Sequence, residues 1–169
     1  MKNLPFASPS DKDLQRLAHT LADTLLSRGW RLCAAESCTG GWVAKVCTDL
    51  AGSSAWFEAG VVSYSNAAKQ ALLGVSPETL AQYGAVSEPV VREMAEGILR
   101  CTAADVALAI SGIAGPGGGS EDKPVGMVCF AWQLAGQPAY GETCLFDGDR
   151  EAVRRQAVAH ALRGAITRA

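Results

Sequence analysis

The sequence predicts a three-layer α/β/α sandwich on a mixed β-sheet, a single domain over residues 1–169. Three observations carry that expectation. Segments of helical period alternate with short apolar runs, the run at residues 105–110 is apolar enough for burial on both faces, and two successive strands near the end are joined by a short turn. A chain of this length buries about 70% of its unfolded surface, so a full core needs no disulfide or metal staple.

The elements follow in order. Leu14, Leu17, Leu21 and Leu25 recur at helical spacing after Ser8 or Ser10 as N-cap, and Gly29 closes that helix. Residues 30–35 form an apolar strand bounded by Glu36. Trp42, Val43, Val46 and Leu50 mark a helix from near Gly40 to before Gly52. Residues 56–63 read as a strand, 66–73 as a short helix and 76–83 as a further helical stretch. Ser87 and Pro89 open the next helix, with Val90, Val91, Met94, Ile98 and Leu99 on one face. The buried strand at 105–110 runs into a glycine-rich segment, 111–120. Strands at 126–134 and 140–146 flank the turn residues Gly136, Gln137 and Pro138, and a last helix spans roughly 150–166, capped by Asp147 or Asp149.

Composition excludes several function classes. Fifteen basic against seventeen acidic residues, with no block of like charge, provide no footprint for nucleic acid or an anionic membrane surface. No apolar stretch is long enough to span a bilayer, and residues 1–10 have no basic-then-apolar leader pattern, so a cytoplasmic protein is expected. Six scattered cysteines lack a CxxC pair, and His19 and His160 lie at opposite ends of the chain. No metal and no cofactor are expected.

Chemistry in such a sheet gathers where strands end. The first candidate is Glu36-Ser37-Cys38-Thr39-Gly40-Gly41, where glycines permit close backbone approach and a helix start offers N–H groups, although a tight capped turn looks the same. The second is Tyr64-Ser65-Asn66-Ala67-Ala68-Lys69, for which a helix cap with a solvated lysine is the alternative. The third is the loop from Ser111 and Gly112 through Gly115-Pro116 to Lys123-Pro124-Val125-Gly126, whose spacing is neither a phosphate-binding P-loop nor a dinucleotide fingerprint.

Together with Gly60-Val61-Val62-Ser63 and Gly84-Ala85-Val86-Ser87-Glu88, these segments resemble the CinA C-terminal domain family, and are most similar to its stand-alone nicotinamide-nucleotide amidases. The resemblance covers nearly the whole chain. It implies hydrolysis of the carboxamide of nicotinamide mononucleotide, a small-molecule nucleotide, to nicotinate mononucleotide and ammonia, in a homodimer. Longer relatives carry an additional N-terminal domain, which is not expected here.

The resemblance implies Ser37 as nucleophile and Lys69 as its base, with Tyr64 and Ser111 relaying a proton or orienting the amide. N–H groups near Thr39 and Gly40, beside Gly41, would meet the oxyanion. Ser65 stands four residues before Lys69 and is a competing nucleophile; Cys38 is read as a packing thiol, Glu36 as orienting the turn, and Asn66 as ribose ligand or helix cap. An ordinary lysine is only about 0.04% neutral at pH 7, so burial against Val61, Val62, Leu72 and Leu73 must lower its pKa. A phosphate beside Lys69 would do the opposite. It is therefore expected at Arg150, with Arg154 or residues 117–120 assisting and a solvated helix face as the alternative for Arg154 and Arg155. Gly117 and Met127 depart from the family pattern, in which Asp or Thr and Thr are usual. A non-catalytic nucleotide-binding module, or an amidase for another small amide, are the competing readings.

Overall fold

The structure is a computed structural model that describes the backbone of residues 2 and 3 and all atoms of residues 8–169. The expectation that residues 1–10 carry no leader pattern lies partly outside the described residues. Strands β1 (Lys2–Asn3), β2 (Leu32–Glu36), β3 (Phe57–Val62), β4 (Val106–Gly112), β5 (Met127–Leu134) and β6 (Tyr140–Leu145) form one sheet. Helices are α1 (Asp11–Arg28), α2 (Trp42–Thr48), α3 (Asn66–Leu73), α4 (Pro77–Tyr83), α5 (Glu88–Arg100) and α6 (Arg150–Arg168). A 3-10 turn at Ser53–Ala55 precedes β3.

The sheet order is β1-β6-β5-β4-β2-β3. Strands β4, β2 and β3 run parallel, β5 is antiparallel to both β4 and β6, and β1 lies parallel to β6. The sheet is therefore mixed, as expected. Alternation along each strand sends successive side chains to opposite faces. Leu32, Ala34, Leu108, Ile110, Val128 and Phe130 meet α1, α2 and α6 on one face. Cys33, Ala35, Ala107, Ala109, Cys129 and Ala131 meet α3, α4 and α5 on the other. Because the second face carries small side chains at Cys33, Ala35, Ala107, Ala109, Cys129 and Ala131, α5 settles close to the sheet with Val90, Val91, Met94 and Ile98 buried.

Of the alternative caps, Ser10 takes the first helix, in a reciprocal capping box with Asp13, and Asp149 takes the last by accepting from the Ala152 N–H. Several boundaries differ from expectation. Helix α2 starts at Trp42 rather than near Gly40, because Gly40 and Gly41 adopt left-handed φ of 63° and 92°. Strand β4 continues through Ser111 and Gly112, which pair with Cys129 and Val128 of β5. The first strand was not anticipated, since two residues are too short for a period to show.

Helix α5 crosses the end of α3 at Gly97, where a Cβ would fall within the Leu73 carbonyl. Two effects oppose at this position. Alanine is the better helix former by about 1 kcal/mol, whereas forcing an atom into backbone costs about 1–3 kcal/mol. Gly97→Ala is expected to lower stability by up to about 2 kcal/mol, read as a fall in urea midpoint at unchanged slope.

Candidate active site

The carboxyl ends of the parallel strands β2, β3 and β4 converge on a cavity of about 210 Å³. Its lining includes Ser37, Tyr64, Lys69, Ser111, Gly112 and Arg150, drawn from all three candidate segments and the last helix. Cys38, Ala85 and Val86 complete one side.

Ser37 follows β2 directly and its N–H donates to the Ile110 carbonyl, which fixes the turn to β4. Lys69 lies in the first turn of α3 and is only 1% exposed. Its Nζ stands 3.0 Å from Ser37 Oγ and donates to the Ser63 carbonyl at 2.7 Å. Among the described residues no carboxylate pairs with it. Burial pushes its pKa down from the ordinary 10.5, with a small opposing influence from Cys38. The enclosure differs from expectation in part. Leu73 is buried and Val61 half-buried, but Val62 and Leu72 are exposed and do not desolvate the amine. Burial also pushes the Cys38 thiol up to about 12, which keeps it protonated at neutral pH.

The start of α2 does not offer the anion site that the sequence suggests. Both oxygens of the buried Glu36 carboxylate are used there, accepting from the N–H groups of Gly41, Val43 and Ala44 at 2.9–3.1 Å. Gly40 N–H donates to the Ser37 carbonyl. Among the described residues, the N–H groups of the turn without a hydrogen-bond partner are those of Cys38 and Thr39, so an oxyanion would be met one residue earlier than expected. Thr39, Gly40 and Gly41 line a separate cavity of about 380 Å³ with Trp42, Lys45 and Arg154. These three residues are not part of the Ser37 cavity.

Ser65 is separated from the amine. Its hydroxyl caps α3 by accepting from the Ala68 N–H and its carbonyl accepts from the Lys69 backbone. Asn66 is the first helical residue after that cap, and neither Ser65 nor Asn66 lines the cavity. Ser111 donates its hydroxyl to the Ala85 carbonyl, joining β4 to the turn before α5. Arg150 donates to the Gly115 carbonyl at 2.8 Å and to the Tyr64 hydroxyl at 3.2 Å. Arg154 is half-buried and does not line this cavity: it donates to the Cys38 and Thr39 carbonyls and stacks over Trp42. Arg155 pairs with Asp11 and Glu151. Lys123 donates to the Tyr83 and Val86 carbonyls and so pins the loop beside the cavity. Met127 packs against the core and contributes no polar group, while Gly117 borders open space.

Sequence reasoning missed one contributor, the Ser63 carbonyl, and offered Arg154 for the phosphate rather than for the nucleophile turn. The Ser63 carbonyl leaves no side-chain signal. Arg154 falls in a polar helix stretch indistinguishable from a solvated face until its partners on the nucleophile turn are known.

Residues 14–168 match the CinA C-terminal domain family. The chain is 59% identical over 153 residues to a nicotinamide-nucleotide amidohydrolase PncC of Escherichia coli (strain K12), covering 90% of this chain and 93% of that one. A protein of the same name from Enterobacter agglomerans is 55% identical over 157 residues, covering 93% and 96%. A crystal structure of a competence damage-inducible protein from Klebsiella pneumoniae superimposes with a TM-score of 0.88 at 44% identity, covering 91% of this chain and 95% of that one.

Glu36 supports the turn through three charge-assisted bonds, each contact of this kind contributing about 1.5–3 kcal/mol. Glu36→Gln replaces one acceptor oxygen by a donor aimed at N–H groups. It is expected to lower stability by about 2–4 kcal/mol in urea unfolding, a larger loss than a surface carboxylate would give.

Proposed function

The chain belongs to the CinA C-terminal domain family and is an amidohydrolase, and from that premise we propose that it converts nicotinamide mononucleotide to nicotinate mononucleotide and ammonia through Ser37 and Lys69. The observation that carries the reading is the buried Lys69 Nζ, 3.0 Å from Ser37 Oγ, with its pKa lowered by burial.

Neutral Lys69 has two N–H bonds and one lone pair. With one N–H donated to the Ser63 carbonyl, the reactive arrangement is the one in which the lone pair accepts from the Ser37 hydroxyl 3.0 Å away. Lys69 takes the hydroxyl proton as Ser37 Oγ attacks the carboxamide carbon, and the carbonyl oxygen becomes an oxyanion facing the N–H of Cys38, which lines the same cavity. Lys69 returns the proton to the amide nitrogen, the C–N bond breaks, and ammonia leaves an ester on Ser37. Water then attacks the ester with Lys69 again as base, releasing the carboxylate and restoring the hydroxyl.

Ser111 and Tyr64 are assigned to orienting the carboxamide and the ring. Arg150 is assigned to the phosphate, because a fixed cation at the cavity rim holds the dianion without raising the pKa of Lys69. No described helix is long and apolar enough to cross a membrane. A cytoplasmic homodimer completes the reading, on family resemblance.

Ser37→Ala is expected to abolish ammonia release from the mononucleotide while circular dichroism stays native. Ammonia release at the parent rate would remove Ser37 from the reaction. Lys69→Arg is expected to be as inactive as Lys69→Ala, because guanidinium cannot be the neutral acceptor. Activity is present above the pKa of Lys69 and lost as pH falls through it, so the acid limb of kcat/KM in the parent should lie below 10.5.

For Arg150→Ala, KM for the mononucleotide should rise at least tenfold with little change for the riboside, about the effect of losing one charge-assisted contact. Equal changes for both substrates would detach Arg150 from the phosphate.

A further inference from the structure

On the opposite side of the sheet from the Ser37 cavity, we propose a zinc site formed by Glu142, Cys144 and His160. Glu142 and Cys144 are alternate residues of β6 and point to the face that packs on α6, from which His160 projects. Their donor atoms form a near-equilateral triangle. Cys144 Sγ is 3.5 Å from Glu142 Oε1 and 3.5 Å from His160 Nε2, and His160 Nε2 is 3.5 Å from Glu142 Oε1.

That spacing is the edge of a coordination tetrahedron. An ion at the centre of a tetrahedron with such edges stands about 2.1 Å from each corner, the range of zinc bonds to imidazole and carboxylate and close to that for thiolate. The two edges that end on sulfur are also ordinary hydrogen-bond lengths, whereas the nitrogen–oxygen edge of 3.5 Å exceeds the usual one. The donor set of thiolate, imidazole and carboxylate suits a borderline-soft divalent ion, and the three ligands found among the described residues leave a fourth position in the coordination shell.

Charge and access agree. The thiol proton of Cys144 leaves to solvent on binding, so Zn²⁺, thiolate, carboxylate and neutral imidazole sum to zero charge. A neutral assembly belongs against the apolar wall present there: the His160 ring lies 4.7 Å from Phe130 and 6.0 Å from Phe146. Cys144 is fully buried, whereas the Glu142 and His160 side chains are 10% and 19% exposed and give the ion a route in. The ion would tie the outer part of the sheet to the last helix, independently of the Ser37 chemistry. In sequence the site is silent, because its ligands come from a strand at spacing two and a helix sixteen residues on.

The test uses the full chain with the exposed Cys101 replaced by serine throughout. The protein is incubated with Zn(II), freed of excess ion by gel filtration and assayed by mass spectrometry for metal. A parallel sample takes Co(II). One zinc per chain is expected, with a thiolate-to-cobalt charge-transfer band and tetrahedral d–d absorption, and a melting temperature that rises with free zinc. His160→Gln should weaken zinc retention at least about tenfold and Cys144→Ser should remove the charge-transfer band. Amide hydrolysis without added metal reports that each variant is folded, and His160→Gln decides alone if the core variant is not. Absence of retained zinc in the parent, or retention unchanged in His160→Gln, overturns the site.

Discussion

The contact on which the site depends is a lysine amine buried at a cavity wall against one hydroxyl and one backbone carbonyl. Burying an ammonium without a carboxylate is unfavourable, so the fold presses Lys69 toward its neutral form. Linkage gives the sign for stability. Between the lowered folded value and 10.5 the unfolded chain binds more protons than the folded one, so stability rises with pH across that window. Below it the fold carries the penalty in full. Function and stability are therefore opposed at one atom, and the surrounding structure must hold the pair in place by other means.

Those means come from three helices that meet at the ends of the parallel strands. Helix α3 supplies Lys69 under a Ser65 cap, α2 is held to β2 by the Glu36 carboxylate, and α6 reaches across with Arg154 on the Cys38 and Thr39 carbonyls. Arg150, one turn earlier on α6, faces the cavity and bridges Tyr64 to Gly115. One helix thus clamps the back of the nucleophile turn and lines the front of its cavity. Displacing α6 would disturb both, which is why rigid elements, rather than the glycine-rich loop, set the geometry.

Much of this was legible in the residues. The helices with a strong apolar stripe and a capping residue, such as α1 and α5, emerge from spacing alone, and β4 as far as Ile110 from its unbroken apolarity. The three cavity-lining segments were also legible, because short polar and glycine residues after apolar strands mark where backbone can meet a ligand. What stayed hidden was decided by partners distant in sequence. Whether the first N–H groups of α2 are free depends on where the Glu36 side chain turns, and whether Ser65 or Ser37 meets Lys69 depends on the packing of α3 on the sheet. Arg154 reads as solvent-facing for the same reason.

The pleat explains how neighbours in sequence acquire different tasks. Leu32 and Ala34 face the layer of α1, α2 and α6, and Cys33 and Ala35 face the layer of α3, α4 and α5. Continued by two residues, the same alternation sends Glu36 to α2 and Ser37 to α3, where Lys69 stands. Ser111 follows Ala107 and Ala109 to that second face, so both hydroxyls line one cavity. A slip of one residue in the pairing of β2 with β4 would exchange the faces, setting a carboxylate against the amine and a hydroxyl at the helix start. The carboxylate would fix Lys69 in its charged form and remove the base. The register that buries the apolar residues of β2 is therefore also the register that keeps the amine available for proton transfer.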